Sequence, residues 1–192
     1  PPILPIQYLT TISLGSGAIR TLRAALDALG ILRPLIVTDR GVMGTAAFGA
    51  TREAIGTECP VYGDTPQNPT EDAVEDAVRR YLEESCDGLI ALGGGSPIDL
   101  AKGVALLTTH PAPLGQYALI RGGVAKIRPT VAPIIAIPTT AGTGSEVGRG
   151  ALITLRDGNK LGLISPHLIP KQAICDPDLT LTLPPRLTAA TG

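Results

Sequence analysis

Three apolar runs of strand length, each followed by polar or glycine-rich residues, place the strongest constraint on the fold. They are residues 34–38 (PLIVT), 88–92 (GLIAL) and 133–137 (PIIAI). A continuous apolar run predicts a strand that is buried on both faces, as in parallel sheets covered by helices. Because amphipathic segments separate these runs, the sequence predicts an α/β domain with a doubly wound, mostly parallel sheet.

Helical periodicity is clearest in three segments. Apolar residues recur at three- and four-residue spacing between residues 19 and 29, and Gly30 provides a stop signal. A second helix begins after Thr70, a suitable N-cap, and carries acidic residues in its first turn. Its predicted buried stripe comprises Val74, Ala77, Val78, Tyr81 and Leu82. A third helix is expected from about residue 97 to residue 107.

Shorter segments predict the remaining strands. Residues 7–13 are interpreted as a short edge strand, and residues 173–175 as a last short strand. Residues 152–155 and 160–164 flank the turn sequence RDGN, which predicts a β-hairpin beside the sheet.

Composition excludes several classes of protein. The 192 residues include 16 Lys and Arg against 17 Asp and Glu, so the chain has no basic footprint for a nucleic acid partner. Aromatic residues make up 3% of the chain, too few for base-stacking platforms, and no run is long enough to span a membrane. The three cysteines form no CxxC pair, which favours a reducing, cytoplasmic location over a disulfide framework.

The residues after the second apolar run form a candidate anion site. Gly94 and Gly95 let the backbone approach a ligand, Ser96 adds a hydroxyl, and Pro97 suits the first position of a helix. A strand, a glycine turn and a helix N-terminus together suit a pyrophosphate. A tight strand-to-helix turn without a ligand is the alternative, since the motif is neither GxGxxG nor a Walker A loop.

Hydroxyl and carboxylate groups follow the other two runs. Residues 138–146 (PTTAGTGSE) supply four hydroxyls and two glycines that suit phosphate and ribose oxygens, although a plain polar loop is also compatible with them. Asp39 closes the first run, where a carboxylate can accept both ribose hydroxyls of an adenosine. Alone it is more often a helix cap. In combination with the glycine turn and the hydroxyl-rich loop, Asp39 favours NAD over NADP, because its charge would repel a 2′-phosphate.

Four motifs in order resemble those of the iron-containing (group III) alcohol dehydrogenases. Residues 93–102 (GGGSPIDLAK) are similar to the family signature GGGSxxDxAK, and residues 138–147 (PTTAGTGSEV) to its second signature. Residues 165–169 (SPHLI) and 176–191 (DPDLTLTLPPRLTAAT) resemble the third and fourth. The resemblance covers the whole chain and implies a Rossmann-like cofactor domain with NAD as the cofactor.

The resemblance also implies roles for individual residues. Asp39 would hold the adenosine ribose, and Asp99 would lie near the nicotinamide. The other implied cofactor contacts are Asn68 beside the cofactor, Gly94, Gly95 and Ser96 at the pyrophosphate, Thr139, Thr140 and Thr143 at the adenine and phosphates, Lys160 at the nicotinamide ribose and Leu179 at the adenosine end. For Lys160 a solvated surface position, and for Leu179 a core position, are equally compatible with the sequence.

The family's metal site has no counterpart among these residues. The resemblance implies iron, or sometimes zinc, held by one Asp and three His that follow the TAATG segment, which is residues 188–192 here. His110 and His167 belong to no matching motif. We therefore expect residues 1–180 to form the dinucleotide-binding domain and residues 181–192 to begin a helical, metal-binding domain that is absent. Both ends of the sequence look cut.

The implied activity is reversible hydride transfer between an alcohol and an aldehyde or ketone with NAD. We expect the 192 residues alone to be inactive, with no catalytic or metal-ligating residue among them, and the resemblance suggests a homodimer. Two alternatives remain open. One is a non-catalytic nucleotide-binding fragment, and the other is a related reductase such as a maleylacetate reductase or a glycerol dehydrogenase.

Overall fold

The computed structural model describes residues 4–7 and 9–191, in which strands and helices alternate along most of the chain. The strands are β1 (Leu4–Gln7), β2 (Thr11–Leu14), β3 (Pro34–Val37), β4 (Val61–Tyr62), β5 (Gly88–Gly93), β6 (Ile134–Pro138), β7 (Gly150–Thr154), β8 (Lys160–Ile164) and β9 (Gln172–Cys175). The helices are α1 (Leu22–Ala28), α2 (Arg40–Met43), α3 (Ala46–Ile55), α4 (Glu71–Glu83), α5 (Gly95–Leu107) and α6 (Pro185–Thr191). Short 3-10 helices cover Ala18–Thr21, Leu114–Tyr117, Leu119–Arg121, Gly123–Lys126, Pro166–Leu168 and Pro177–Thr180.

Within the described residues, seven strands form one sheet in the order β1-β2-β9-β6-β5-β3-β4. Strand β1 pairs with β2 in antiparallel fashion, and the other neighbours are all parallel. Strands β7 and β8 form a separate antiparallel hairpin in which Gly150 lies opposite Ile164 and Thr154 opposite Lys160. The predicted doubly wound, mostly parallel sheet with a hairpin is confirmed.

Apolar side chains of the central strands divide between two cores, one on each face of the sheet. Leu35 and Val37 pack with α4 and α5, whereas Ile36, between them in β3, packs with α1 and α3. The alternation follows from the two-residue period of a strand. Since both faces are covered, every residue of β3 is buried, as the uninterrupted apolar run predicts.

The predicted helix and strand bounds differ from the structure in several places. The single edge strand predicted at residues 7–13 is wrong, because the chain reverses there between β1 and β2. The sequence between Pro5 and Ile12 contains none of the Gly, Asn or Pro residues that signal a turn. Residue 8 lies outside the described residues. Strand β4 and helices α2 and α3 are unpredicted, and α5 begins at Gly95 rather than near residue 97.

The predicted stripe of α4 is confirmed except at one end. Thr70 is the N-cap, and its Oγ1 accepts a hydrogen bond from the backbone N–H of Ala73 at 3.2 Å. Val74 and Ala77 are fully buried, but Leu82 is 59% exposed. Eight residues after Val74, a helical side chain points about 80° away from it, so Leu82 lies beyond the flank of the stripe. None of the described helices has the length and apolarity needed to cross a bilayer.

Candidate functional site

The strand order places a crevice between the carboxyl ends of β3 and β5. These strands are neighbours in the sheet, but β3 continues into α2 and α3 on one face and β5 into α5 on the other. In open parallel sheets, ligands bind at such a switch point, outside the carboxyl ends of the strands. The candidate binding segments of the sequence follow these two strands and their neighbour β6.

A cleft of about 790 Å³ occupies this position. It is lined by residues that follow β3, β4, β5 and β6 and by the C-terminal segment from Leu179 to Thr191. Eight predicted cofactor residues line it: Asp39, Gly94, Gly95, Ser96, Thr139, Thr140, Thr143 and Leu179. The topology therefore brings together groups that lie up to 140 positions apart (179 − 39) in the chain. What these residues bind remains a prediction.

The glycine turn lets neighbouring side chains approach its backbone closely. Gly93 has φ +140°, a conformation that L side chains rarely adopt, and a Cβ there would lie 2.8 Å from Pro97 Cγ. At Gly95 a Cβ would lie 3.1 Å from Thr143 Cγ2. Gly94 is the N-cap of α5, and no side chain caps the helix. Because Gly94, Gly95 and Ser96 line the cleft, the uncapped N-terminus of α5 lies at its wall, where an anion site would be.

Ser96 links the glycine turn to the segment after β4. Its hydroxyl donates a hydrogen bond to the backbone carbonyl of Gln67, and both residues line the cleft. The serine is thus oriented by a neighbouring loop within the first turn of α5.

Asp39 has a structural role and also faces the cleft. It is the N-cap of α2, and its Oδ1 accepts a hydrogen bond from the N–H of Val42 at 2.9 Å. The other oxygen, Oδ2, is directed toward the glycine turn, 3.6 Å from the position of a Cβ built on Gly93. The next residue, Arg40, donates from Nε to Asp64 Oδ1 at 2.7 Å across the mouth of the cleft. The cap interpretation and the ribose interpretation are therefore compatible.

The loop after β6 closes over the start of α5. Thr139 is buried, and its N–H donates to the carbonyl of Gly93 at 3.0 Å, which extends the pairing of β5 and β6. Thr140 Oγ1 would lie 3.3 Å from a Cβ on Gly94, and Thr143 faces Gly95 as described above. The predicted threonine cluster thus lies directly against the predicted glycine turn.

Sequence reasoning missed several polar residues of the cleft, and Thr65 is the most buried of them. Thr65 lines it and is only 8% exposed, and its Oγ1 has no hydrogen-bond partner within the described residues. A buried hydroxyl without a partner costs free energy, and a ligand in the cleft could supply that partner. No motif marks Thr65, because β4 itself has only two residues and went unpredicted.

Three predicted cofactor residues do not line the cleft. Lys160 and Asn68 pair with each other, Nζ donating to Oδ1 at 2.9 Å, at the junction between the hairpin and the segment before α4. Asp99 faces the hairpin, where its Oδ2 accepts the N–H of Leu152 at 3.0 Å. Burial raises the pKa of the Asp99 carboxyl. One turn later, burial lowers the pKa of Lys102 to about 8.

The described residues do not fit a metal centre. Among them, no three or more His, Cys, Asp or Glu side chains cluster as ligands. His110 is buried, its Nε2 accepts the N–H of Arg128 at 2.9 Å, and burial lowers its pKa. His167 follows the 3-10 cap residue Ser165, whose Oγ accepts the N–H of His167 at 3.2 Å. These contacts give both histidines a structural role.

Comparison with known proteins identifies the family. A sequence model described as iron-containing alcohol dehydrogenase matches residues 10–177, which is most of the chain. The chain belongs to the iron-containing alcohol dehydrogenase family. The predicted resemblance to this family is therefore confirmed. A 4-hydroxybutyrate dehydrogenase of Cupriavidus necator is 55% identical over 191 residues, or 97% of this chain and 49% of that protein. A 1,3-propanediol dehydrogenase of Klebsiella pneumoniae is 36% identical over 185 residues, 93% of this chain and 46% of that protein.

Solved structures of the family have the same fold. A 1,3-propanediol oxidoreductase matches with a TM-score of 0.88 at 33% identity, over 100% of this chain and 50% of that one. A sulfoacetaldehyde reductase from Bifidobacterium kashiwanohense, solved in complex with NAD+, matches with a TM-score of 0.88 at 30% identity and the same coverage. The chain thus spans about half the length of the family members that it matches.

Proposed function

We propose that these 192 residues form the dinucleotide-binding part of an NAD-dependent, metal-dependent alcohol dehydrogenase. The reaction would be reversible hydride transfer between an alcohol and an aldehyde or ketone. The observation that carries the proposal is the single cleft at the switch point, lined by the strand-end carboxylate, the glycine turn and the threonine loop. Family membership and the NAD+ complex of one fold neighbour support NAD as the ligand.

The cleft residues suit the parts of a dinucleotide. Asp39 Oδ2 would accept the adenosine ribose hydroxyls and disfavour a 2′-phosphate. The N–H groups of Gly94, Gly95 and Ser96, at the positive end of α5, would bind the pyrophosphate. Thr139, Thr140 and Thr143 would donate hydroxyls to the phosphates and adenine, with Leu179 packed at the adenosine end. When bound, NAD supplies the carbon that accepts the hydride.

Lys160 and Asn68 would serve the nicotinamide ribose. Because Lys160 Nζ already donates to Asn68 Oδ1, the amide holds the ammonium at the end of β8. We propose that this pair faces the nicotinamide side of the bound cofactor, beyond the walls that define the unliganded cleft.

We propose that the metal and most substrate contacts lie in the half of the family architecture that this chain does not span. Residues 4–7 and 9–191 offer no ligand cluster. We propose residues 1–180 as the cofactor domain and residues 181–192 as the start of a helical, metal-binding domain. Iron or zinc is the proposed metal. A homodimer in the cytoplasm, without nucleic acid or membrane partners, is the proposed setting.

The 55% identical relative makes 4-hydroxybutyrate the first alcohol to test. The assay follows NADH formation from NAD with 4-hydroxybutyrate and a panel of simple alcohols, with iron or zinc supplied. We expect the 192 residues alone to give no turnover, and a polypeptide that also carries the remaining half of the family architecture to oxidise an alcohol with NAD. Metal-dependent turnover by the 192 residues alone would contradict this division of labour. If the longer polypeptide bound NADH without oxidising any alcohol, a non-catalytic role would replace the proposal.

A further inference from the structure

The edge of β7 that does not pair with β8 is bound mainly by side chains of α5. The backbone groups of odd-numbered residues in the β7 region point toward β8, as shown by the bond from Ser165 N–H to Arg149 O at 3.0 Å. Even-numbered residues therefore present their backbone groups on the opposite edge, because backbone groups alternate along a strand. At the far end of this edge, Thr154 N–H donates to Pro69 O at 2.8 Å.

Lys102 binds the first two backbone carbonyls of that edge. Its side chain is fully buried, and its Nζ donates to Gly148 O at 2.9 Å and to Gly150 O at 2.7 Å. A lysine is almost never fully buried without partners, because desolvating the ammonium is costly. The two carbonyls and the Asp99 carboxylate, with Oδ1 3.8 Å from Nζ, supply those partners.

Asp99 binds the next backbone group of the same edge, which is an N–H. It lies one turn before Lys102 on α5, and its Oδ2 accepts the N–H of Leu152. Its Oδ1 is buried and has no hydrogen-bond partner within the described residues, and the Lys102 ammonium lies 3.8 Å from it. Together the two side chains bind three alternate residues: Gly148, Gly150 and Leu152.

This attachment fixes the downstream end of the threonine loop. The upstream end is fixed by β6 and by the bond from Thr139 N–H to Gly93 O. Between these two attachments the loop passes over the first turn of α5, with Thr143 against Gly95. The same attachment also holds the hairpin, in which Lys160 lies opposite Thr154.

We propose that Lys102, assisted by Asp99, is a positioning residue for cofactor binding that holds the threonine loop and the hairpin in their binding-competent arrangement before the cofactor arrives. This inference rests on the proposed function, since it takes the cleft to bind NAD. Neither side chain lines the cleft, so both act through the backbone that they hold. Without them, part of the binding free energy of the cofactor would be spent on ordering the loop.

The test compares Lys102→Met with the wild-type protein and with Lys126→Met, a matched change at an exposed lysine. Hydrogen exchange is measured on the amides of residues 139–152, and the Kd for NADH by calorimetry. We expect Lys102→Met to exchange faster in this segment and to bind NADH roughly tenfold more weakly, as the loss of charged hydrogen bonds predicts. At saturating NADH the exchange should return to the wild-type rate. Lys126→Met should change neither quantity.

A purely structural role gives a different pattern. If Lys102→Met also speeds exchange in α1 and α3 on the opposite face, or if saturating NADH fails to restore the loop, positioning is the wrong explanation. Unchanged exchange in residues 139–152 would overturn the proposal outright. Should Lys102→Met fail to fold, Asp99→Ala removes the Leu152 bond and the carboxylate beside Lys102 but leaves the two carbonyl bonds of Lys102. It should therefore give a smaller change of the same sign in both measurements. If neither quantity changes in a folded Asp99→Ala protein, the proposal is overturned.

Failure of the proposed function can be distinguished from failure of this inference. If the wild-type protein binds no NADH, the proposed function fails and the cofactor part of this inference fails with it. The exchange measurement without ligand then decides separately whether Lys102 holds the loop.

Discussion

At the scale of single residues, the cleft brings together groups that follow the neighbouring strands β3, β5 and β6. Asp39, the glycines and the threonines follow strands whose carboxyl ends can be predicted to meet, so their grouping follows from strand order. For Asp99 the resemblance implies a place near the nicotinamide, and this stays a prediction. Its hydrogen bond with the N–H of Leu152 could not be predicted, because only the packing of the hairpin on α5 reveals it.

The charge of Asp39 is expected to set the preference between NADH and NADPH. Asp39→Asn keeps an oxygen for the Val42 cap but removes the charge that would repel a 2′-phosphate. We expect the ratio of Kd for NADPH to Kd for NADH to fall roughly tenfold, equivalent to about 1.4 kcal/mol. Calorimetric titration of both cofactors measures it. The matched variant Asp27→Asn alters a surface pair in α1 with Arg23 and should leave the ratio unchanged. An unchanged ratio in Asp39→Asn would remove Asp39 from cofactor selection.

Gly95 is expected to matter for its missing side chain. In Gly95→Ala the new Cβ would lie 3.1 Å from Thr143 Cγ2, which pushes the loop away from the start of α5. We expect NADH to bind more weakly by about five- to tenfold, because a shift of the loop costs on the order of 1 kcal/mol in binding. The comparison is Gly49→Ala in α3, where a Cβ meets nothing within 4 Å. Equal NADH affinity in the two variants would show that the close approach has no role in binding.

At the scale of helices and strands, long periodic segments were predictable and short ones were not. Helix α4 has thirteen residues, and its N-cap and its apolar stripe agree with the prediction apart from the exposed Leu82. Helix α2 has four residues and β4 has two, which is too short for periodicity to develop. Strand β4 nevertheless brings Thr65 and Gln67 to the cleft, so part of the site was lost with it.

The N-cap of α4 is expected to contribute to stability. Thr70→Ala removes the oxygen that accepts the Ala73 N–H, and we expect the free energy of unfolding to fall by about 1 kcal/mol. Urea denaturation measures the change. Thr70→Ser keeps the oxygen and should stay close to the wild-type value, so an equal loss in both variants would assign the effect to the lost methyl group instead.

At the scale of the whole molecule, the sheet class was predictable and the exact strand order was not. The apolar runs indicate parallel, doubly covered strands, yet nothing in them shows that β9 inserts between β2 and β6. That insertion joins the two ends of the described chain and brings the C-terminal segment from Leu179 to Thr191 against the cleft. Sequence patterns are local, whereas this pairing spans about 160 residues, for example between Ile12 and Ala173 (173 − 12 = 161).

The buried Lys102 is expected to make global stability depend on pH. Its pKa is lowered to about 8 in the folded protein from 10.5, so between these values the unfolded state binds more protons and stability rises with pH. Below pH 8 Lys102 is charged in both the folded and the unfolded state. The folded protein then bears the full desolvation cost of the buried ammonium. We expect the unfolding free energy of wild type minus that of Lys102→Met to rise by on the order of 2 kcal/mol from pH 7.5 to pH 10. Urea denaturation across this range measures it. A flat difference would mean that the ammonium keeps its ordinary pKa.

The central claim is that the cleft between β3 and β5 is a preformed NAD site. Calorimetric titration of the protein with NADH, and with NADPH in parallel, tests it most directly. We predict saturable binding of NADH, with NADPH at least about tenfold weaker because Asp39 faces the ribose. Absence of NADH binding, or equal affinity for the two cofactors, would contradict the account.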